Sequence, residues 1–310
     1  MDTSTEGAVV VGVTGPGRET AALRFAADLA TREGTEVVLV HAYGTALPPP
    51  PPSVLMTYAE AADVAEWLVK EVREELEELT GGAVPVRTAA VAGTASHVLA
   101  GQSATARLVV VQHRDPHWLG RLFVGSTVAG TAAHGRCPVV SVPMGWQPTD
   151  EPGEVVVGVH EGAAPLEAVL AGFEWAASTG AALRVIHAWR LDPAYDDIIT
   201  ARVAPEWHAE QVRALESAMR ELRRAHPSVP VAVEVRHQWP TEVLVGESRT
   251  ASLVVVGRHA SHWRGGAHLG STARTVLREA RSAVMVVPVR SPRDADAGLG
   301  LDADDVSLQS

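Results

Sequence analysis

Two tandem doubly wound α/β domains, each a five-stranded parallel sheet covered by helices, are what the 310-residue sequence predicts. Self-similarity is the first observation behind this expectation. VVVGVTG at 9–15 returns as VVVGVHE at 155–161, and VLVHAY at 38–43 returns as RVIHAW at 184–189. RLVVVQHRD at 107–115 matches SLVVVGRHA at 252–260, and VGSTVAGTAAHGRCPVVSVP at 124–143 matches LGSTARTVLREARSAVMVVP at 269–288. Gly125 and Gly270 stand 145 residues apart, so one domain-sized unit has been duplicated. The second observation is that the Val-rich runs are apolar throughout rather than alternating, which marks strands buried on both faces. The third is that amphipathic stretches such as AALRFAADLATREG and PLEAVLAGFEWAASTG separate those runs and stop at Gly34 and Gly180, which suit helix C-caps.

Taken in chain order, strands are expected at 8–13, 36–42, 84–91, 107–112 and 138–142, and again at 154–159, 182–188, 231–236, 252–257 and 283–287. Long helices are expected over 59–80 and 205–226, where charge lies on one face and Leu, Val, Trp and Ala on the other. The domains therefore occupy 1–146 and 152–290, joined by the Pro- and Gly-rich GWQPTDEPG at 145–153. PPPPP at 48–52 reads as a stiff polyproline II spacer in a loop. The acidic tail 291–310 has too few large apolar residues to pack and is expected to be disordered.

Composition narrows the function classes. With 46% hydrophobic and 20% charged residues the chain reads as globular and soluble. A net charge of −11 and an isoelectric point near 5.6 argue against a nucleic-acid partner, which calls for basic patches. No basic segment leads into an apolar stretch at MDTSTEGAVV, and no apolar run reaches membrane-spanning length, so a cytoplasmic location and no membrane partner are expected. Cys137, the lone cysteine, reads as a small hydrophobe at a strand start. Lys70 is the only lysine, and no P-loop motif occurs.

One stretch points to chemistry. GRHASHWRGGAHLGST, 257–272, runs from a strand end to a helix start, where small residues let backbone approach a ligand and free N–H groups attract anions. Phosphate is the ligand this arrangement suggests. The histidines His259, His262 and His268 crowd the same loop, with His113 and His117 in the equivalent loop of the first copy. No cysteine or carboxylate at ligand spacing joins them, so polar loop residues rather than a metal site are expected. Arg258 and Arg264 flank the loop and either stay solvated or pair with phosphate oxygens.

These marks together make the chain resemble a tandem universal stress protein: V-G-V opening a strand, His-Ala near the end of the second, and G-x-x-G-x9-G-[ST] after the fourth. The resemblance implies strand order 3-2-1-4-5, antiparallel pairing of the two fifth strands as an internal pseudo-dimer, and an adenine-nucleotide site in some members. Carried over residue by residue, that site falls in the second copy on Val159, His160, Ala188, Gly257, Ala260, Gly270, Ser271 and Thr272. His160 stands where the family has an acid, and Ala260 where it has the second glycine. In the first copy Thr14 replaces the acid, and Gln112 and Asp115 replace both glycines, although Gly125, Ser126 and Thr127 remain. That copy is expected to bind no ATP, since an Asp beside phosphate repels it. The function expected is a stress-response module binding ATP, with Mg²⁺, or another adenine nucleotide in the C-terminal domain. The alternative is a nucleotide-independent protein-interaction module. No enzymatic activity is expected, because the motifs place no general base, nucleophile or metal set; a homodimer is a further expectation.

Overall fold

In the computed structural model, residues 5–44, 58–113, 126–149, 151–159, 166–190, 193–258 and 269–288 are described. The first half runs β1 (Val9–Gly12), α1 (Thr20–Glu33), β2 (Val37–Tyr43), α2 (Tyr58–Thr80), β3 (Val86–Ala92), α3 (Ala95–Gln102), β4 (Leu108–His113), α4 (Ser126–His134) and β5 (Val139–Pro143). The second runs β6 (Glu154–Val159), α5 (Leu166–Thr179), β7 (Ala182–Trp189), α6 (Pro193–Ala218), α7 (Arg220–Ala225), β8 (Val231–His237), α8 (Pro240–Glu247), β9 (Leu253–Gly257), α9 (Ser271–Glu279) and β10 (Ala283–Val287). Strand edges differ from the sequence expectation by no more than two residues.

All these strands join one ten-stranded sheet in the order β3-β2-β1-β4-β5-β10-β9-β6-β7-β8. Every pairing is parallel except the central one, where β10 lies antiparallel to β5 with Met285 opposite Val140. Alternate residues of the apolar strands feed two cores on opposite faces. Val9 and Val11 belong to one core together with Phe25 of α1, Leu76 of α2, Phe173 of α5 and Leu215 of α6. Val10 belongs to the other, which includes Leu99 of α3, Val128 of α4, Leu244 of α8 and Val276 of α9. Helix α1 ends as its sequence requires: Gly34 takes φ +65°, and its N–H donates to the carbonyl of Ala30.

Helix α6 is the main departure. It begins at Pro193, earlier than the expected 205, and runs through Pro205, a residue that ordinarily starts a helix rather than interrupting one. Asp196 in its first turn explains the extension, because its buried carboxylate accepts from His237 Nε2 at the end of β8 at 2.8 Å and so fastens the early turns to the sheet. The polyproline run, the acidic tail and the loop 259–268 lie outside the described residues.

Candidate functional site

Strands β6 and β9 are neighbours, yet β6 leads to α5 on one face of the sheet and β9 leads to α9 on the other. Beyond the carboxyl ends of strands that part in this way a doubly wound sheet opens a crevice. A cleft of about 320 Å³ lies there, within the size range of small-molecule sites. Ile186, Leu244 and Val256 make its apolar floor, Pro240 one wall, and Gly270, Ser271, Thr272 and Ala273 the opposite end.

Local chemistry explains each part. Gly158 is required in V-G-V because a Cβ there would come within 2.7 Å of a Leu244 methyl; its absence lets α8 lie close to β6. The His-Ala pair divides its labour. His187 is buried, and its Nδ1 lies 3.2 Å from the carbonyl oxygen of Val159, so the ring donates to the end of β6 and fixes that strand end. Ala188 then presents a small side chain to the cleft. His41 makes the same bond to Val13 at 2.9 Å in the first half.

At the far end, Gly270 is the N-cap of α9, with φ −58° and no side-chain cap. The first intrahelical donor is Arg274 N, bonded to Gly270 O at 3.0 Å, so the N–H groups of Ser271, Thr272 and Ala273 precede the helix ladder. They form the positive end of the helix dipole where the cleft opens, with the Ser271 and Thr272 hydroxyls beside them.

Six of the eight residues expected from the sequence therefore line one cleft: Val159, Ala188, Gly257, Gly270, Ser271 and Thr272. His160 and Ala260 lie outside the described residues, as do His117, Asp115, Gly125 and the histidines at 259, 262 and 268. Ile186, Leu244, Val256 and Pro240 were not singled out from the sequence. The apolar runs of β7 and β9 and the proline opening α8 were the signals available for them.

In the first half the position of Gly257 and the β1–α1 loop are engaged by the chain's own side chains. Gln112 stands where the second half has Gly257, and its amide is buried at the start of α1: Oε1 accepts from Ala22 N at 3.2 Å, and Nε2 donates to Arg18 O at 2.6 Å. Glu19 accepts from Thr14 N at 3.0 Å and from Thr14 Oγ1 at 2.6 Å. Glu75 from α2 accepts from Gly17 N and from Thr20 Oγ1, each at 2.8 Å. Two carboxylates thus hold the β1–α1 loop.

Arg258 corrects an expectation. Its Nη1 neither stays in solvent nor turns to a phosphate end; it donates to Ala133 O at 3.0 Å and to Gly135 O at 2.7 Å, the carboxyl end of α4 in the other half. Cys137 is buried, and burial pushes its thiol up to about 12, in keeping with its reading as a small hydrophobe. Among the described residues no group of three His, Cys, Asp or Glu is placed to hold a metal ion, and no helix is long and apolar enough to cross a membrane.

Comparison with known proteins agrees with this architecture. The chain is 28% identical over 300 residues to a universal stress protein of Mycolicibacterium smegmatis, covering 94% of this chain and 100% of the relative. It is also 28% identical over 291 residues to one of Mycobacterium tuberculosis, covering 90% and 95% respectively. A solved universal stress protein from Archaeoglobus fulgidus shares the fold, with a TM-score of 0.64 at 16% identity over 91% of this chain and 98% of that one. The universal stress protein family profile matches twice, over 7–143 and 153–288, so the chain belongs to that family and carries two of its domains in tandem.

Proposed function

We propose that the protein binds one adenine nucleotide per chain, ATP with Mg²⁺ being the ligand tested first, in the cleft of the C-terminal half. A single observation carries the reading: main-chain amides at the start of α9, uncapped by any side chain among the described residues, lie at a cleft with an apolar floor, the two environments that a phosphate tail and an aromatic base need. The N-terminal half, with Gln112 in place of Gly257 and its β1–α1 loop held by Glu19, supports a stoichiometry of one rather than two. The described lining contains no carboxylate, so Mg²⁺ fits here only on the phosphates it accompanies. Its described lining offers no carboxylate, histidine or lysine to activate the Ser271 or Thr272 hydroxyl, in keeping with a reading as a binding module rather than a hydrolase. The two halves, joined through β5 and β10, act as the two subunits of an internal dimer.

Calorimetric titration with ATP and Mg²⁺, preceded by mass spectrometry of any nucleotide that co-purifies, tests the proposal. The expected result is saturable binding of one ATP per chain, abolished by Gly270→Asp. Absence of binding up to millimolar ATP sinks it and leaves a nucleotide-independent interaction module; two equivalents per chain contradict the stoichiometry of one.

A further inference from the structure

Each half covers its outer strands with a long helix, and the two helices have diverged in charge. Helix α2 carries eight carboxylates against two cations. Over 213–224, the end of α6 and most of α7, four arginines stand against two glutamates. Both helices lie on the same face of the sheet, since Leu76 of α2 and Leu215 of α6 belong to one core, and they sit at its opposite edges, beside β3 and β8.

Their outward ridges match. Glu60, Asp63, Trp67 and Glu71 recur at three- and four-residue spacing on the side of α2 away from buried Ala65, Val69 and Val72. Trp67 is 54% exposed, although tryptophan is highly buried on average. On the other helix Arg213, Ser217, Arg220 and Arg224 repeat that spacing on the side away from buried Leu215 and Met219, and all four are exposed. Among the described residues none of these three arginines meets a carboxylate of its own chain: Arg213 Nε donates to Ala209 O at 3.1 Å, and Arg220 Nη2 to Ser217 Oγ at 3.5 Å. One ridge is therefore acidic around an aromatic ring, and the other is basic around a small residue.

We propose that the chain closes into a homodimer through these ridges, α2 of each copy lying on the α6–α7 ridge of the other. Because β5 and β10 pair antiparallel, the strands of the two halves run in opposite directions, and so do the helices that return along them. A two-fold axis parallel to the strands then lays α2 antiparallel to α6 and α7 of the second copy, and a single rotation makes the contact twice. Asp63 meets Arg220 and Glu71 meets Arg213, while Trp67 covers its exposed ring over Ser217 with arginines on either side. Further along, Glu74 and Glu78 would oppose Glu210 and Glu206, so the helices must part there, as helices packed at an inclined crossing do. The nucleotide cleft takes no part in this contact.

Sedimentation analysis of the full chain at micromolar concentration tests the proposal. The expected mass is twice 32.7 kDa, with an association that weakens as salt screens the ion pairs. Asp63→Lys with Glu71→Lys, and in a separate chain Arg213→Glu with Arg220→Glu, should each give a folded monomer, because each ridge then faces one of its own sign. Mixing the two reversed chains should restore a dimer, since both contacts again join opposite charges. Trp67→Ala should weaken the dimer about tenfold or more. A monomeric unaltered chain overturns the proposal, and so does a dimer that survives either reversal or a mixture that stays monomeric.

Discussion

At the scale of single residues, glycine positions separate binding from folding. Gly270 has φ −58° and ψ 158°, an extended backbone that any residue adopts, so its lack of a side chain matters for space and not for strain. Asp is among the preferred N-cap residues, and its carboxylate reaches the N–H groups two and three residues on. Gly270→Asp is therefore expected to hold or raise the thermal midpoint while eliminating ATP binding, because the new carboxylate occupies the amides the phosphate would use. A melting curve and a titration on the same sample check both halves. Gly158 and Gly12 supply a matched pair, since a Cβ at either would approach the methyl of Leu244 or Leu99 to 2.7 Å. Alanine at each is expected to cost about 1–3 kcal/mol through overpacking, read by denaturant unfolding. Only Gly158→Ala should also lower ATP affinity, because Leu244 is floor of the cleft. Equal effects on binding would show that the displaced leucine does not shape the site.

At the scale of elements, the outer strands of the C-terminal half are tied by charge. Arg184 on β7 pairs with Glu154 on β6 at 2.8 Å, with Glu234 on β8 at 3.3 Å, and with Glu247 at the end of α8. Arg236 on β8 bonds Glu247 at 2.6 Å. Burial alone would raise the pKa of Glu247, but the hydrogen bond from Arg236 and the charges of Arg184 and Arg236 outweigh it and hold the carboxyl below its ordinary value. A depressed carboxylate stabilises the fold fully above its unfolded pKa, and that contribution is lost as pH falls through the folded value. Glu247→Gln should therefore cost about 2 kcal/mol at pH 7. The gap from the unaltered chain should narrow as pH drops below about 4, where the unaltered Glu247 takes up a proton and loses the charge that the variant never carries. A gap independent of pH between 7 and 3 would assign the effect to packing. These elements also mark what the sequence made legible. Strands such as 154–159 and 283–287 stand out because unbroken Val runs have one reading in a duplicated α/β pattern, and Gly270, Ser271 and Thr272 stand out because a helix start has fixed chemistry. The early turns of α6 do not, because Asp196 finds His237 41 residues away, across the sheet. Trp239 and Arg190 meet for the same reason: two loops that converge only once β7 and β8 pair.

At the scale of the whole molecule, the two halves share a continuous seam. On one face Phe25 of α1 stacks on Trp175 of α5 at 5.4 Å and meets Trp146 edge-on at 5.1 Å, while Arg32 lies 5.1 Å from the Trp175 ring. Arg107 reaches Glu33 at 3.2 Å and Glu174 of the other half at 3.9 Å. Through the middle, β5 and β10 pair their backbones and leave neither edge open to another chain. On the opposite face Arg258, the residue after Gly257, holds the carbonyls of Ala133 and Gly135 at the carboxyl end of α4. A cation there satisfies carbonyls left over at the helix end and complements the helix dipole. This geometry assigns Arg258 to the seam, and it separates two roles that the sequence left open. Arg258→Met keeps most of the side-chain volume but removes the donors, so it is expected to destabilise the folded chain by about 1–3 kcal/mol in urea unfolding. ATP affinity should stay within twofold, since the guanidinium is engaged across the seam and not at the phosphate end. A large loss of ATP affinity with unchanged stability would instead mean that Arg258 leaves α4 for the ligand, and the seam would then lack this contact whenever the cleft is filled.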